Sequence, residues 1–178
     1  MQGLVSSLFE VRDFYEREVL QDVQFKRPAD GDRLDAYELV RPKAHVGWIP
    51  PGGVLAPSRT LTIPCIVVGL DRRTASTEDT EMGVRITAAI YDPGHQTWTE
   101  ESSLSTDPNF EGYVTLLNLM DRLEAVTMKH QVIGGRYKLD SAIESKMYDE
   151  QPWPYWYGYL RFTLSGPPDP VTRYAGLL

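Results

Sequence analysis

The sequence predicts an α+β domain, and three observations carry that prediction. The first is a helical stripe near the N-terminus. The second is a longer helical stripe in the middle of the chain. The third is a set of alternating, strand-like segments lying between and after the two stripes. The expected architecture is a small mixed or antiparallel sheet with an N-terminal helix and one long helix packed on it, ending in a C-terminal β-hairpin. With 178 residues and 20.2 kDa, the chain has the size of a single domain spanning 1–178.

Leu4, Leu8, Val11, Tyr15 and Val19 recur at steps of three and four, while Asp13, Glu16 and Arg17 fall off that stripe. This predicts an amphipathic first helix that packs on a core. From Pro28 to Thr60 the periodicity fades, and Pro42, Pro50, Pro51 and Pro57 punctuate the chain around Gly52-Gly53. Tyr37 to Val40 alone reads as a short strand. Val46, Trp48, Ile49, Val54 and Leu55 are too apolar for a free linker, so 28–60 reads as an extended arm or loop that packs on another surface, its own domain's or a neighbour's, and serves assembly more than folding.

Leu61 to Leu70 is a nearly continuous apolar run, as in a strand buried on both faces, with Pro64 expected at its start or on an unpaired side. Val84, Ile86, Ala88 and Ile90 alternate with Arg85, Thr87, Ala89 and Tyr91, which predicts a second strand ended by Asp92-Pro93-Gly94. The polar stretch Asp71 to Glu81 between them reads as a charged hairpin tip. Asp107-Pro108 reads as a helix cap followed by proline at the first helical position. The long helix then runs to His130, burying Tyr113, Leu116, Leu117, Met120, Leu123 and Thr127, and Gly134-Gly135 stops it. Tyr137 to Met147 alternates as one strand. The last strand, Tyr155 to Leu164, puts Trp156, Leu160, Phe162 and Leu164 on one face and Tyr155, Tyr157, Tyr159 and Arg161 on the other. Gly166 and the prolines that follow force an extended tail over 167–178.

Composition narrows function without naming it. A formal charge of −7 argues against a general nucleic-acid coat. No apolar run approaches the ~20 residues of a membrane helix, and Met1 to Leu4 lacks the flank of a secretory signal. The lone Cys65 excludes an internal disulfide and suits a reducing, cytosolic compartment. Catalytic signatures are missing. His45, His95 and His130 are isolated, and neither glycine pair is followed by the Lys-Ser or Lys-Thr of a phosphate loop. Asp149 and Glu150 are neighbours that a strand would point to opposite faces, and Cys65 in its apolar run reads as a small hydrophobe. The expectation is therefore no catalytic residues, no metal, no cofactor and no enzyme. A small enzyme centred on His95 or His130 is the weakest alternative.

Six of the 19 aromatic residues lie within ten positions: Trp153, Tyr155, Trp156, Tyr157, Tyr159 and Phe162. Core packing accounts for Trp156 and Phe162. The row Tyr155, Tyr157, Tyr159 has three readings: an oligomer contact, a sugar-binding platform with Trp153, or aromatic pairing inside one subunit. With Trp48, these residues are the candidate partner-contact positions.

The segment Asp149-Glu150-Gln151-Pro152-Trp153-Pro154-Tyr155-Trp156-Tyr157-Gly158, following a helix and a strand, resembles the C-terminal hairpin of tailed-phage tail terminator, or tail-completion, proteins. The similarity spans roughly residues 83 to 165, and 28–60 looks like an insertion relative to smaller members. The resemblance implies a structural virion subunit, usually six copies in a ring, that caps the tail tube and joins it to the head. Its implied partners are further copies of itself, the tail tube protein, a head-completion or neck protein, and the sheath in tails that carry one. It would be assembled in the host cytoplasm, with DNA passing through its lumen without sequence-specific binding and with no membrane role. An acidic lumen would let phosphates slide where a basic one would grip. The alternative function is a carbohydrate-binding module using Trp153, Tyr155, Tyr157 and Tyr159.

Overall fold

A computed structural model describes residues 3–29, 36–49, 63–98, 104–107 and 110–168, with backbone alone over 95–98 and 104–107. Two helices lie on one face of a seven-stranded mixed sheet, and two small antiparallel ribbons are not hydrogen-bonded into it. The α+β class and the two expected helices are thus present.

Helix α1 (Leu4–Glu18) buries Leu8, Val11, Phe14 and Tyr15, so its stripe points inward as its spacing requires. Ribbon strands β1 (Phe25–Pro28) and β2 (Tyr37–Val40) pair antiparallel, and β3 (Lys43–Val46) then runs parallel to β4 (Cys65–Ala75). Residues 43–49 thus pack on their own domain and belong to its sheet, which corrects the expectation that 28–60 serves assembly more than folding. Ala44 and Ile49 are buried, and β3 forms one edge of the main sheet. Four residues beside a longer strand show too little alternation to be read in isolation. Residues 50–62, including Val54 and Leu55, lie outside the described residues.

Strands β4 and β5 (Thr80–Tyr91) pair antiparallel from Cys65↔Ala89 to Ala75↔Thr80. The expected tip at 71–81 therefore shrinks to 76–79, because charged side chains on a solvent-facing ribbon cost the ladder nothing. Pro64, joined by a cis bond to Ile63, sits just before β4, as its missing N–H requires. Next comes a ribbon that the sequence did not announce, β6 (His95–Trp98) paired with β7 (Leu104–Asp107). Asp107 thus closes a strand and does not cap the long helix. That helix, α2 (Glu111–His130), begins after Phe110.

The face of α2 also needs correction. Leu116, Leu119, Met120, Leu123 and Thr127 are buried, whereas Tyr113 is 41% exposed and Leu117 only partly covered. The helix ends at Gln131, whose φ of 54° starts the reversal. Gly134 and Gly135 (φ 63° and 70°) instead make the tight turn between β8 (Val132–Ile133) and β9 (Tyr137–Leu139). The expected single strand over 137–147 is two, β9 and β10 (Glu144–Met147), each pairing with a different part of β11 (Tyr155–Gly166). At the break, Ser141 Oγ accepts the Thr163 N–H (2.8 Å) and Asp140 N–H donates to Thr163 O (2.9 Å).

The central ladder joins β5 to β11 from Thr80↔Gly166 to Tyr91↔Tyr155. On the helix side, Ile66, Val68, Val84, Ile86, Leu160, Phe162 and Leu164 meet α1 and α2 in one apolar core. Buried hydroxyls tie the parts together. Thr127 Oγ1 donates to Leu123 O (2.7 Å), which leaves it to accept from Tyr15 OH (2.5 Å). Ser7 and Tyr137 form a second hydroxyl pair at 2.5 Å. The start of α2 is seated on an indole: a Cβ on Gly112 would lie 2.1 Å from Trp156 Nε1, which donates to Asp92 O (3.1 Å). Asp92 in turn accepts from Lys26 Nζ (2.7 Å) and pins ribbon β1–β2 to the end of β5.

Candidate functional site

The face of the sheet turned away from the helices carries the residues that the sequence singled out. Along β11 the odd positions Tyr155, Tyr157, Tyr159 and Arg161 point there, as the alternation predicts. What covers them was not predicted. Tyr157 (2% exposed) and Tyr159 (9%) lie beneath Tyr148, whose ring stacks on Tyr157 at 6.0 Å and tilts against Tyr159 at 5.6 Å. Ile49, Cys65, Val67 and Ala89 complete this second apolar cluster, and Tyr148 OH donates to Ile49 O (3.1 Å). Tyr155, partly covered, packs against Tyr91 at 5.4 Å. As candidates for partner contact, Tyr157 and Tyr159 are therefore corrected to intrachain packing, because Tyr148 and Ile49 occupy the surface a partner would need. Trp48 (63% exposed) and Trp153 (43%) remain on the outside.

The distinctive motif serves the hairpin turn. Gln151 behaves like an extra strand residue: its Nε2 donates to Tyr148 O (2.9 Å) and Tyr157 O (2.8 Å), while its Oε1 accepts the Tyr157 N–H (2.7 Å). Pro152, Trp153 and Pro154 close the turn, with Trp153–Pro154 cis and the Tyr155 N–H donating to Pro152 O (2.9 Å). A side-chain amide holds both strands here, so the turn's register depends on glutamine at this position.

Toward the other end, the same face becomes charged. Asp71 sits at the bulge between Leu70 and Arg72, and its carboxylate lies 3.0 Å from Arg85 Nε and 2.8 Å from Arg161 Nε. Both guanidiniums also lie over the Tyr159 ring, at 5.0 and 5.2 Å from its centre. The Nε atoms are buried and, among the described residues, neither makes an aligned hydrogen bond, so their attraction to Asp71 is one of charge. Shallow grooves of about 320 and 480 Å³ flank Arg85, one beside Tyr148 and Lys146, the other beside Arg72 and Thr163. Arg85 and Arg161 could have been found from the sequence by pairing β5 with β11. Asp71 could not, because only the bulge brings it there.

The groups with catalytic potential are scattered. Burial pushes the Cys65 thiol up to about 12, which leaves a neutral, poor nucleophile at ordinary pH. Burial likewise raises the Tyr157 phenol to about 12. His45 on β3 is held below its ordinary value, chiefly by desolvation and against the pull of Glu16. His130 lies 3.6 Å from Glu18, at the far end of α1. His95 lies on β6, and Asp149 and Glu150 are exposed in the hairpin loop. Among the described residues, no group of three or more His, Cys, Asp or Glu is placed to hold a metal ion. No helix among them is long and apolar enough to cross a membrane.

No protein-family model matches the chain, and no curated protein matches it either.

Proposed function

We propose that this chain is a structural subunit of a phage tail, a terminator that closes the tail tube as a ring and joins it to the neck. The observation that carries the proposal is the segment from Glu150 to Trp156, with the strand, long helix and hairpin order around it. In this chain the segment's residues make a turn and hold a register; they do not converge on a reactive centre. A motif with that role suits a scaffold whose surfaces, and not its side-chain chemistry, carry function. Two ribbons that are not hydrogen-bonded into the main sheet supply further surface for neighbours. The partners would be other copies, the tail tube protein and a neck protein, and an acidic lumen would pass DNA freely.

The carbohydrate-binding alternative is less well supported, because two of its three tyrosines are packed under Tyr148 and only Trp153 and Tyr155 of its face are left accessible. The test is co-expression with the tail tube protein of the same phage, followed by electron microscopy and mass measurement of the tubes. A ring at the tube end, with tubes of one length, is expected. Tubes that grow to unregulated lengths with no bound subunit would overturn the proposal.

A further inference from the structure

Arg85 on β5 and Arg161 on β11 are direct cross-strand partners, and like charges in that position repel. Their side chains are only 18% and 40% exposed, so solvent ions screen the repulsion in part. Asp71 answers both with one carboxylate, Oδ1 toward Arg85 Nε and Oδ2 toward Arg161 Nε. Two cations sharing one anion leave the trio with a single positive charge. The described residues form no hydrogen bond to either guanidinium: Asp71 is not aligned with the Nε atoms, and Tyr159 gives them only its ring.

The groove of about 480 Å³ beside this trio brings in a third cation. Thr163 stands opposite Gly83, and Arg72 lies across that glycine, where a Cβ would come 2.9 Å from Arg72 Cγ. The bulge after Leu70 sets Asp71 and Arg72 in these places, and bulges often re-aim side chains beside functional sites. Arg72 also pairs with Glu81 (2.8 Å), but that contact is exposed and costs little to exchange. Arg72, Arg85 and Arg161 line the groove with two acids, Asp71 and Glu144. Its balance is therefore one positive charge, on a chain whose total is −7. The groove of about 320 Å³ on the other side of Arg85 has no such surplus, because Asp149 and Glu150 match Arg85 and Lys146.

We propose that the larger groove binds a phosphate group, held by the Nη ends of Arg85 and Arg161, with Arg72 folding over it. The Nε atoms are buried beside Asp71, so a ligand in the groove meets these guanidiniums at their Nη ends. Thr163 lies two residues after Arg161, on the same face of β11, and its hydroxyl lines the groove as a further donor. Guanidiniums arriving from β4, β5 and β11 suit an anion whose oxygens point in several directions; a planar carboxylate would meet fewer of them. Asp71 fixes two of the three cations side by side, so the site is formed before its ligand arrives. The site does not depend on ring assembly. Free phosphate and the phosphate of a nucleic-acid backbone share this chemistry, and the test separates them.

The test uses the full chain and reads the arginine Nε–Hε signals by NMR as inorganic phosphate is titrated in, with sodium chloride holding ionic strength constant. The Arg85 and Arg161 signals should shift to saturation, and Arg161→Gln should weaken binding about tenfold or more. Arg27→Gln, which removes an exposed guanidinium paired with Glu38 on the β1–β2 ribbon, should leave binding unchanged. A shift that does not saturate, that Arg161→Gln retains, or that Arg27→Gln also loses would overturn the site. Acetate should bind more weakly, and equal binding would overturn phosphate as the ligand class. A short DNA duplex then identifies the source. Binding of the ion but not the duplex assigns free phosphate; tighter binding of the duplex, again lost in Arg161→Gln, assigns a nucleic-acid backbone. Should Arg161→Gln unfold in circular dichroism, Glu144→Gln decides. It removes an exposed negative charge opposite Arg161, so phosphate should bind about twofold tighter, and unchanged affinity would overturn the proposal.

Discussion

The two faces of the central sheet share the same strands and differ in what covers them. On one side the even residues of β11, Leu160, Phe162 and Leu164, meet two helices and form a continuous apolar core. On the other, the odd residues pass from an aromatic cluster under Tyr148 to a charged row at Arg85, Arg161 and Asp71. The first face is closed by elements that announce themselves through helical spacing. The second is closed by one side chain from a loop, one residue after β3 and a bulge. Alternation in a strand tells which residues share a face; it does not tell what that face meets.

The sharpest test of this contrast lies on the helix side. Leu123 is fully buried, so Leu123→Asp should cost about 4 kcal/mol or more and leave the chain largely unfolded. Leu117→Asp, at the half-covered flank, should stay folded with a much smaller loss. Urea titrations followed by circular dichroism compare the two. Equal losses would show that Leu117 is as deeply seated as Leu123.

On the outer face, Tyr157→Ala opens a cavity beneath Tyr148, and large aromatic-to-alanine changes in cores cost ~3–5 kcal/mol. The expected readout is a melting temperature lowered by many degrees. An unchanged melting temperature together with loss of an oligomer would return this tyrosine to the surface.

The smallest effect separates the faces by titration. The Cys65 thiol and Tyr157 phenol are raised to about 12 in the folded chain, from ordinary values of 9.0 and 10.0. The unfolded chain therefore releases these protons first as pH rises. Their stabilisation is complete below about pH 9 and is lost progressively up to about pH 12. Tyr157→Phe should make the alkaline decline shallower without abolishing it, because buried Tyr15 is raised in the same sense. Urea midpoints between pH 8 and 11 measure the slope, and identical slopes would mean that Tyr157 is in contact with solvent.

Much of the fold was legible because helices and long strands repeat their signal. The α1 stripe and the two faces of β11 stand where the spacing puts them, whereas β5, whose alternation reads as a half-buried strand, is buried on both faces because Thr87, Ala89 and Tyr91 are covered too. The features missed are short or depend on distant partners. Strand β3 exists because β4 lies beside it, and β9 and β10 divide because Thr163 bonds to residues 140 and 141. At the candidate site, the tyrosine row was readable but its cover was not, since Tyr148 and Ile49 reach it from separate parts of the chain. The motif at 150–156 was readable as a pattern. Its reason, a glutamine standing in for a strand, needed coordinates.

The β5–β11 ladder also sets the order in which the chain can fold. Thr80 finds its partner in Gly166 and Tyr91 in Tyr155, so the centre of the sheet closes only after both ribbons, α2 and β10 have been made. The β4–β5 hairpin is local and can form early, but one long edge of β5 then waits unpaired for the last strand. During synthesis that waiting edge is the chain's main exposure to aggregation, and it ends when β11 arrives. Truncation before residue 155 would make the exposure permanent, so such fragments should accumulate as insoluble material while the full chain remains in solution.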